Sequence, residues 1–200
     1  MNKLLDCLKK DPTVYYIYRS GPSIFGVECE HDEYLVITSS DHDITKYDLD
    51  DNFEQDEQNI TFKGSKFRFR DTAWFFERIQ KNDLNTLILK SLPKKDVIKE
   101  FVKVPTVVDS ERIRGNVRAS QFHMARTFAI QDPVSPGILS ASKFCAFEFI
   151  KCIELSNQIR EFGKIINLSV LKSHYEDVQN CKTMNEIKAY IDQYEKNNLS

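Results

Sequence analysis

The chain has no apolar run approaching the roughly 20 residues that a membrane-spanning helix needs. Its first residues, Met1-Asn2-Lys3-Leu4-Leu5-Asp6, hold no apolar stretch of signal-peptide length. A cytoplasmic protein is the resulting expectation, in the host cytoplasm if the source is viral. Net charge is also scarce. Lys and Arg number 28 against 30 Asp and Glu, leaving −2, so no global field draws the chain onto nucleic acid. The five cysteines, Cys7, Cys29, Cys145, Cys152 and Cys181, include no C-x-x-C pair. Their spacing indicates neither a disulfide framework nor a zinc site. P-loop, dinucleotide fingerprint and nucleophile elbow are all missing. Glycine is limited to six residues; with much Asn, Lys and Ile, this suggests an AT-rich genome such as that of a phage.

What is present is an ordinary globular composition. Hydrophobic residues make up 41% of the chain, with 14 Phe and 8 Tyr, which argues against disorder. Two hundred residues suit one domain with an appendage or two small lobes.

Residues 2–10 read as a short helix with Leu4, Leu5 and Leu8 on one side, closed by Asp11-Pro12. Residues 14–18 and 34–38 are β-branched and aromatic, and read as buried strands. Between them Ser20-Gly21-Pro22-Ser23 breaks the chain. Residues 41–57 are strongly acidic and read as a solvated, mobile loop; they lack the glycine of an EF-hand turn. Residues 59–62 and 66–70 form a hairpin pattern in which Phe67 and Phe69 alternate with Lys66, Arg68 and Arg70. Asp71-Thr72 offers an N-cap for a helix carrying Trp74, Phe75 and Ile79, with helical character continuing to Pro93. From about residue 110 the chain reads as helical. Helices are expected over 110–130 and over 138–162, the latter apolar nearly all round from Phe144 to Ile150. Asp132-Pro133-Val134-Ser135-Pro136-Gly137 separates them. Thr183-Met184-Asn185-Glu186 is a capping-box pattern opening a last amphipathic helix. Strands first and helices after predict an α+β fold, a small mixed sheet followed by a helical bundle.

The most informative stretch is a strand, then Ser20-Gly21-Pro22-Ser23-Ile24-Phe25-Gly26, then Asp32 and Glu33 opening the second strand. It resembles the nucleotidyltransferase (DNA polymerase β-like) signature: a G-S-x-x-x-G turn followed by an acid-x-acid pair. Residues 66–92 and the helix over 143–159 resemble corresponding parts of a bacterial and phage branch of that superfamily, so the likeness spans about 14–195. The resemblance implies a nucleotidyltransferase-like lobe over 1–105 and a helical lobe over 106–200. It also implies that Ser20, Gly21, Ser23 and Gly26 shape a phosphate turn, and that Asp32 and Glu33 are catalytic acids that hold Mg²⁺ with a third carboxylate. Arg68, Arg70, Arg114 and Lys143 would supply positive charge along a cleft.

The sequence departs from the pattern in three places. Pro22 stands where the family has serine, and no two aspartates sit at i and i+2 before Tyr34. The strand expected to carry the third acid shows Lys66, Arg68 and Arg70. A cation about 4 Å from a metal opposes each unit of its charge by about 4 kcal/mol at an effective dielectric near 20. Three functions stay open: a pseudoenzyme with impaired catalysis that binds a nucleotide, RNA or host protein; an active Mg²⁺-dependent transferase; and a host-defence inhibitor using the fold as a scaffold. His31 beside Asp32 and Glu33 admits a metal or proton-relay role against a plain exposed loop. Cys29 as a nucleophile is disfavoured, because neighbours on an extended segment point apart.

Overall fold

The computed structural model of the protein describes residues 3–47, 49, 53–80, 90–91, 110–163 and 165–198. The chain divides into two units, Met1–Thr106 and Val107–Ser200.

In the first unit, α1 (Lys3–Lys10) buries Leu4 and Leu8, one turn apart on one face. Six strands follow: β1 (Val14–Ser20), β2 (Glu33–Thr38), β3 (Phe53–Gln55), β4 (Asn59–Phe62), β5 (Ser65–Asp71) and β6 (Lys90–Ser91). They form one mixed sheet in the order β3-β4-β5-β2-β1-β6. β2 runs parallel to β5 and antiparallel to β1. Lys63 and Gly64 link β4 to β5 with φ of 49° and 76°, the paired positive values of a tight hairpin loop whose twist matches its strands. Asp71 accepts the Trp74 N–H at 2.8 Å and so caps α2 (Thr72–Gln80), as its position predicts.

Period-two alternation divides the side chains between two faces. On one face, Leu4 and Leu8 meet Ile17, Tyr34, Val36, Ile60, Phe62, Phe67 and Phe69 in the main core. On the other, Phe75 of α2 packs on Leu35 and Ile37, flanked by Tyr16, Tyr18 and Trp74. β2 is therefore covered on both sides, which explains its unbroken apolar run.

The second unit is helical: α3 (Ser110–Phe128), α4 (Pro136–Phe162), α5 (Val170–Asn180) and α6 (Met184–Asn198). α4 starts two residues earlier than expected, because Pro136 is tolerated in a first helical turn and Ser135 caps it. Thr183 Oγ1 accepts the Glu186 N–H at 3.1 Å, while Glu186 accepts from Lys182 rather than from the cap itself. Asp132 also accepts the N–H groups of Met184 and Asn185 at 3.0 and 3.1 Å. The helix start is thus capped from 52 residues away.

Three expectations need correction. α4, whose apolar run predicts burial, is buried along much of its length against α3, α5 and α6, but not all round, since Phe144 is 63% exposed. Helical character does not run unbroken to Pro93, because Lys90 and Ser91 pair with β1; residues 84–89 lie outside the described residues. The acidic stretch is not simply a solvated loop. Leu49 is buried, and Phe53–Gln55 adds an exposed edge strand. Asp11, itself buried, binds Lys46 Nζ at 2.8 Å and accepts the Tyr47 hydroxyl at 2.6 Å. Thr13 donates to the same carboxylate, and its hydroxyl lies 2.7 Å from His42 Nδ1.

Burial acts to raise the Asp11 pKa, but the bonds from Lys46, Tyr47 and Thr13 outweigh it and hold the carboxyl well below the usual range. Such a group stabilises the fold above its unfolded pKa of about 3.9. That contribution is lost as pH falls through the unfolded value toward the folded one. Asp11→Asn is expected to lose about 1–3 kcal/mol at neutral pH. Urea unfolding between about pH 5 and pH 3 should then show a shallower decline for the variant than for the native chain. Equal slopes would contradict the clasp.

Candidate functional site

Between β1 and β2 the chain makes a short 3₁₀ turn over Pro22–Phe25, anchored by the buried Phe25. Gly21 opens it with φ 75° and ψ −171°, a backbone region available essentially to glycine alone. Gly26 closes it in the left-handed conformation and donates its N–H to Ser23 O at 3.2 Å. The Ser23 hydroxyl donates to Ser20 O at 3.4 Å. A Cβ on Gly21 would stand 3.1 Å from Glu33 Cδ. The turn therefore lies directly against the side chain that opens β2. Beneath it, Ser20 Oγ and Arg19 Nε are buried with no hydrogen-bond partner.

Register builds the rest of the site. Tyr16, Ile37 and Arg70 form one lateral row, Tyr18, Leu35 and Arg68 the next, and Ser20, Glu33 and Lys66 the third. All three rows belong to the face that carries α2. Glu33 reaches diagonally to Arg68 and forms an ion pair with its Nη2. The next register step, Arg19, Tyr34 and Phe67, belongs to the α1 face. There Arg19 Nη2 contacts both Asp32 oxygens, at 3.0 and 3.1 Å, and the Tyr34 hydroxyl donates to Asp32 Oδ2 at 3.1 Å. Burial acts to lower the Arg19 pKa, but the Asp32 carboxylate outweighs it and raises it.

Asp32 and Glu33 thus serve opposite faces of the sheet, as successive residues of an extended chain must. Each is held by its own arginine. The register sets Lys66 against Glu33 and Arg68 against Leu35, where the family likeness calls for a third acid. This arrangement does not fit the Mg²⁺ ion that the resemblance implies. Among the described residues, no group of three or more His, Cys, Asp or Glu is placed to hold a metal.

Arg70 behaves differently from Arg68. Its guanidinium lies 5.7 Å from the Trp74 ring centroid and donates to Phe69 O at 2.6 Å. Among the described residues it forms no ion pair, although the Asp56 charge acts on it from farther away. Burial and the neighbouring Arg68 cation pull its pKa below the ordinary value, yet a guanidinium stays charged near neutral pH.

Ser20, Gly21, Glu33 and Lys66 are therefore gathered at one end of one sheet face, with Arg68 in the next row of that face and Arg70 in the row beyond, level with Ile37 toward the other end. Ser23 and Gly26 shape the adjoining turn. Arg114 and Lys143 belong to the second unit. Arg114 is exposed on α3, and Lys143 donates to Gln179 O at 2.7 Å at the end of α5. His31 is exposed, with Nε2 4.0 Å from Glu30. Desolvation and the Glu33 and Asp32 charges push the Cys29 thiol up, away from the thiolate a nucleophile requires. Arg19 escaped the sequence reasoning. Its signal was its place near the end of β1, across from the residues that open β2.

Gly21→Ala is expected to lose about 1–3 kcal/mol from backbone strain, with crowding against Glu33 added. Gly26→Ala, in open space, should lose only the left-handed penalty of about 1–2 kcal/mol. Denaturant unfolding of both variants measures the difference; a larger loss for Gly26→Ala would contradict the placement of the turn. No protein-family model matches this chain, and the searches of curated proteins and of solved structures also return no match. The likeness to nucleotidyltransferases accordingly rests on the sequence of this chain alone.

Proposed function

We propose that this chain is a nucleotidyltransferase-like protein that binds the phosphate of a nucleotide or nucleic acid without a metal, its catalysis impaired or lost. The observation that carries this reading is the pair of guanidinium groups on β5. Arg68 and Arg70 lie two residues apart on one strand face, about 7 Å along the chain. They stand in the region where the family likeness places a metal-binding acid, and among the described residues Arg70 is in no ion pair with a carboxylate. Guanidinium forks match phosphate oxygens with paired, charge-assisted hydrogen bonds. Cations here can neutralise a phosphate, but they cannot ligate a metal. The unpartnered Ser20 Oγ beside Gly21 supplies a further donor on the same sheet face, one row from Arg68.

Isothermal titrations with ATP, CTP, GTP and tRNA, each with and without Mg²⁺, test this directly. Binding is expected to be unchanged by the metal. Arg70→Ala should weaken it about tenfold to a hundredfold, since a hydrogen bond to a charged group contributes about 1.5–3 kcal/mol. Strict Mg²⁺ dependence would reject the reading. So would transfer of label from an α-labelled triphosphate to an acceptor, lost on Asp32→Ala/Glu33→Ala, which would establish an active transferase.

A further inference from the structure

We propose that the Glu33 carboxylate is a built-in competitor for the phosphate, occupying the ligand's position on Arg68 until a phosphate displaces it. The inference rests on the metal-independent binding proposed above and concerns how that site is regulated. Two contacts place Glu33 there. Its side chain lies along the bare Cα of Gly21, where a Cβ would stand 3.1 Å from Cδ and 3.3 Å from Cβ and Cγ. Its carboxylate is bound by Arg68 Nη2. The space that a glycine turn keeps free for an anion is therefore filled by an anion belonging to the chain itself.

Carboxylate and phosphate oxygens accept from a guanidinium in the same way, so the two compete for one donor set. The pair is also within reach of solvent. The Arg68 side chain is 43% exposed and that of Glu33 is 31% exposed, and ion pairs this open are weak enough to exchange. Among the described residues, no second acid forms an ion pair with Arg68. Asp32 is on the opposite face, held by Arg19 and Tyr34. With Glu33 displaced, Arg68 is left without its carboxylate in a cationic row of Lys66, Arg68 and Arg70 along β5, in which the Asp56 charge acts on Lys66 and Arg70. A metal-ligand role for Glu33 makes the opposite prediction: removing it would weaken binding rather than strengthen it.

Pyrophosphate is the probe, titrated into the full chain in the presence of a chelator. If Glu33 occupies Arg68 about nine-tenths of the time, the apparent affinity of the native chain is reduced about tenfold. Glu33→Gln and Glu33→Ala should then bind pyrophosphate about tenfold more tightly than the native chain, and adding Arg68→Ala to either should abolish the gain. Glu30→Gln is the control for loss of charge alone, since Glu30 is 95% exposed on the adjoining loop. A gain as large in Glu30→Gln as in Glu33→Gln would overturn the proposal. Native binding that is unchanged or weakened in both Glu33 variants would overturn the competitor role and leave the phosphate reading standing. No binding by any variant would overturn both. Should the Glu33 variants fail to fold, the ¹³C carboxylate resonance of Glu33 in the native chain decides: a shift on pyrophosphate addition supports displacement, and an unmoved resonance overturns it.

Discussion

Phe67 and Phe69 leave β5 on the α1 side of the sheet, and that choice sends Lys66, Arg68 and Arg70 to the other side. Both phenylalanines are buried, Phe67 completely, with Phe67 stacked on Tyr34 at 4.8 Å between ring centroids. Burying each contributes about 1.5–3 kcal/mol. A one-residue slip of β5 against β2 would exchange the faces. It would expose the phenylalanines and place three cations in an apolar core, where leaving one charge unpaired costs several kcal/mol. The parallel β2–β5 pairing is therefore tightly specified. The cationic row along β5 is a consequence of core packing, achieved without a basic chain overall.

The same alternation decides what the acids can do. Asp32 and Glu33 are adjacent, so the pleat separates them. Asp32 joins Arg19 and Tyr34 above the main core, and Glu33 joins Arg68 across from Gly21. Acids at i and i+2 would have shared one face and could have cooperated around a metal. Acids at i and i+1 instead become two independent ion pairs. A one-position difference in the sequence pattern thus removes the shared face that a metal site built on both acids needs.

Much of the first unit was legible because its signals are local. The β-branched runs of β1 and β2, the period-two pattern of β5 and the Asp71 cap each depend on a few neighbouring residues. The facing of Arg68 and Arg70 followed from the same period. Long-range pairings were not legible. The Arg19–Asp32 ion pair depends on the β1–β2 register, the Asp11 clasp reaches Tyr47 across 36 residues, and the Asp132 cap spans 52. Local composition suggested a solvated segment around His42 and Tyr47, whereas tertiary contacts tie it to α1. Phe144 shows the reverse error: an apolar run predicts burial, but only neighbouring helices can supply it.

The central claim is that the two acids opening β2 are each committed to an arginine on a separate face and do not assemble a metal site. Amide NMR spectra of the full chain titrated with substoichiometric Mn²⁺ test it most directly. The account predicts no selective broadening at Gly21, Asp32, Glu33 and Arg68 relative to other exposed acidic positions such as Glu30. Selective loss of the Asp32 and Glu33 signals at low Mn²⁺, reversed by Mg²⁺, would contradict it.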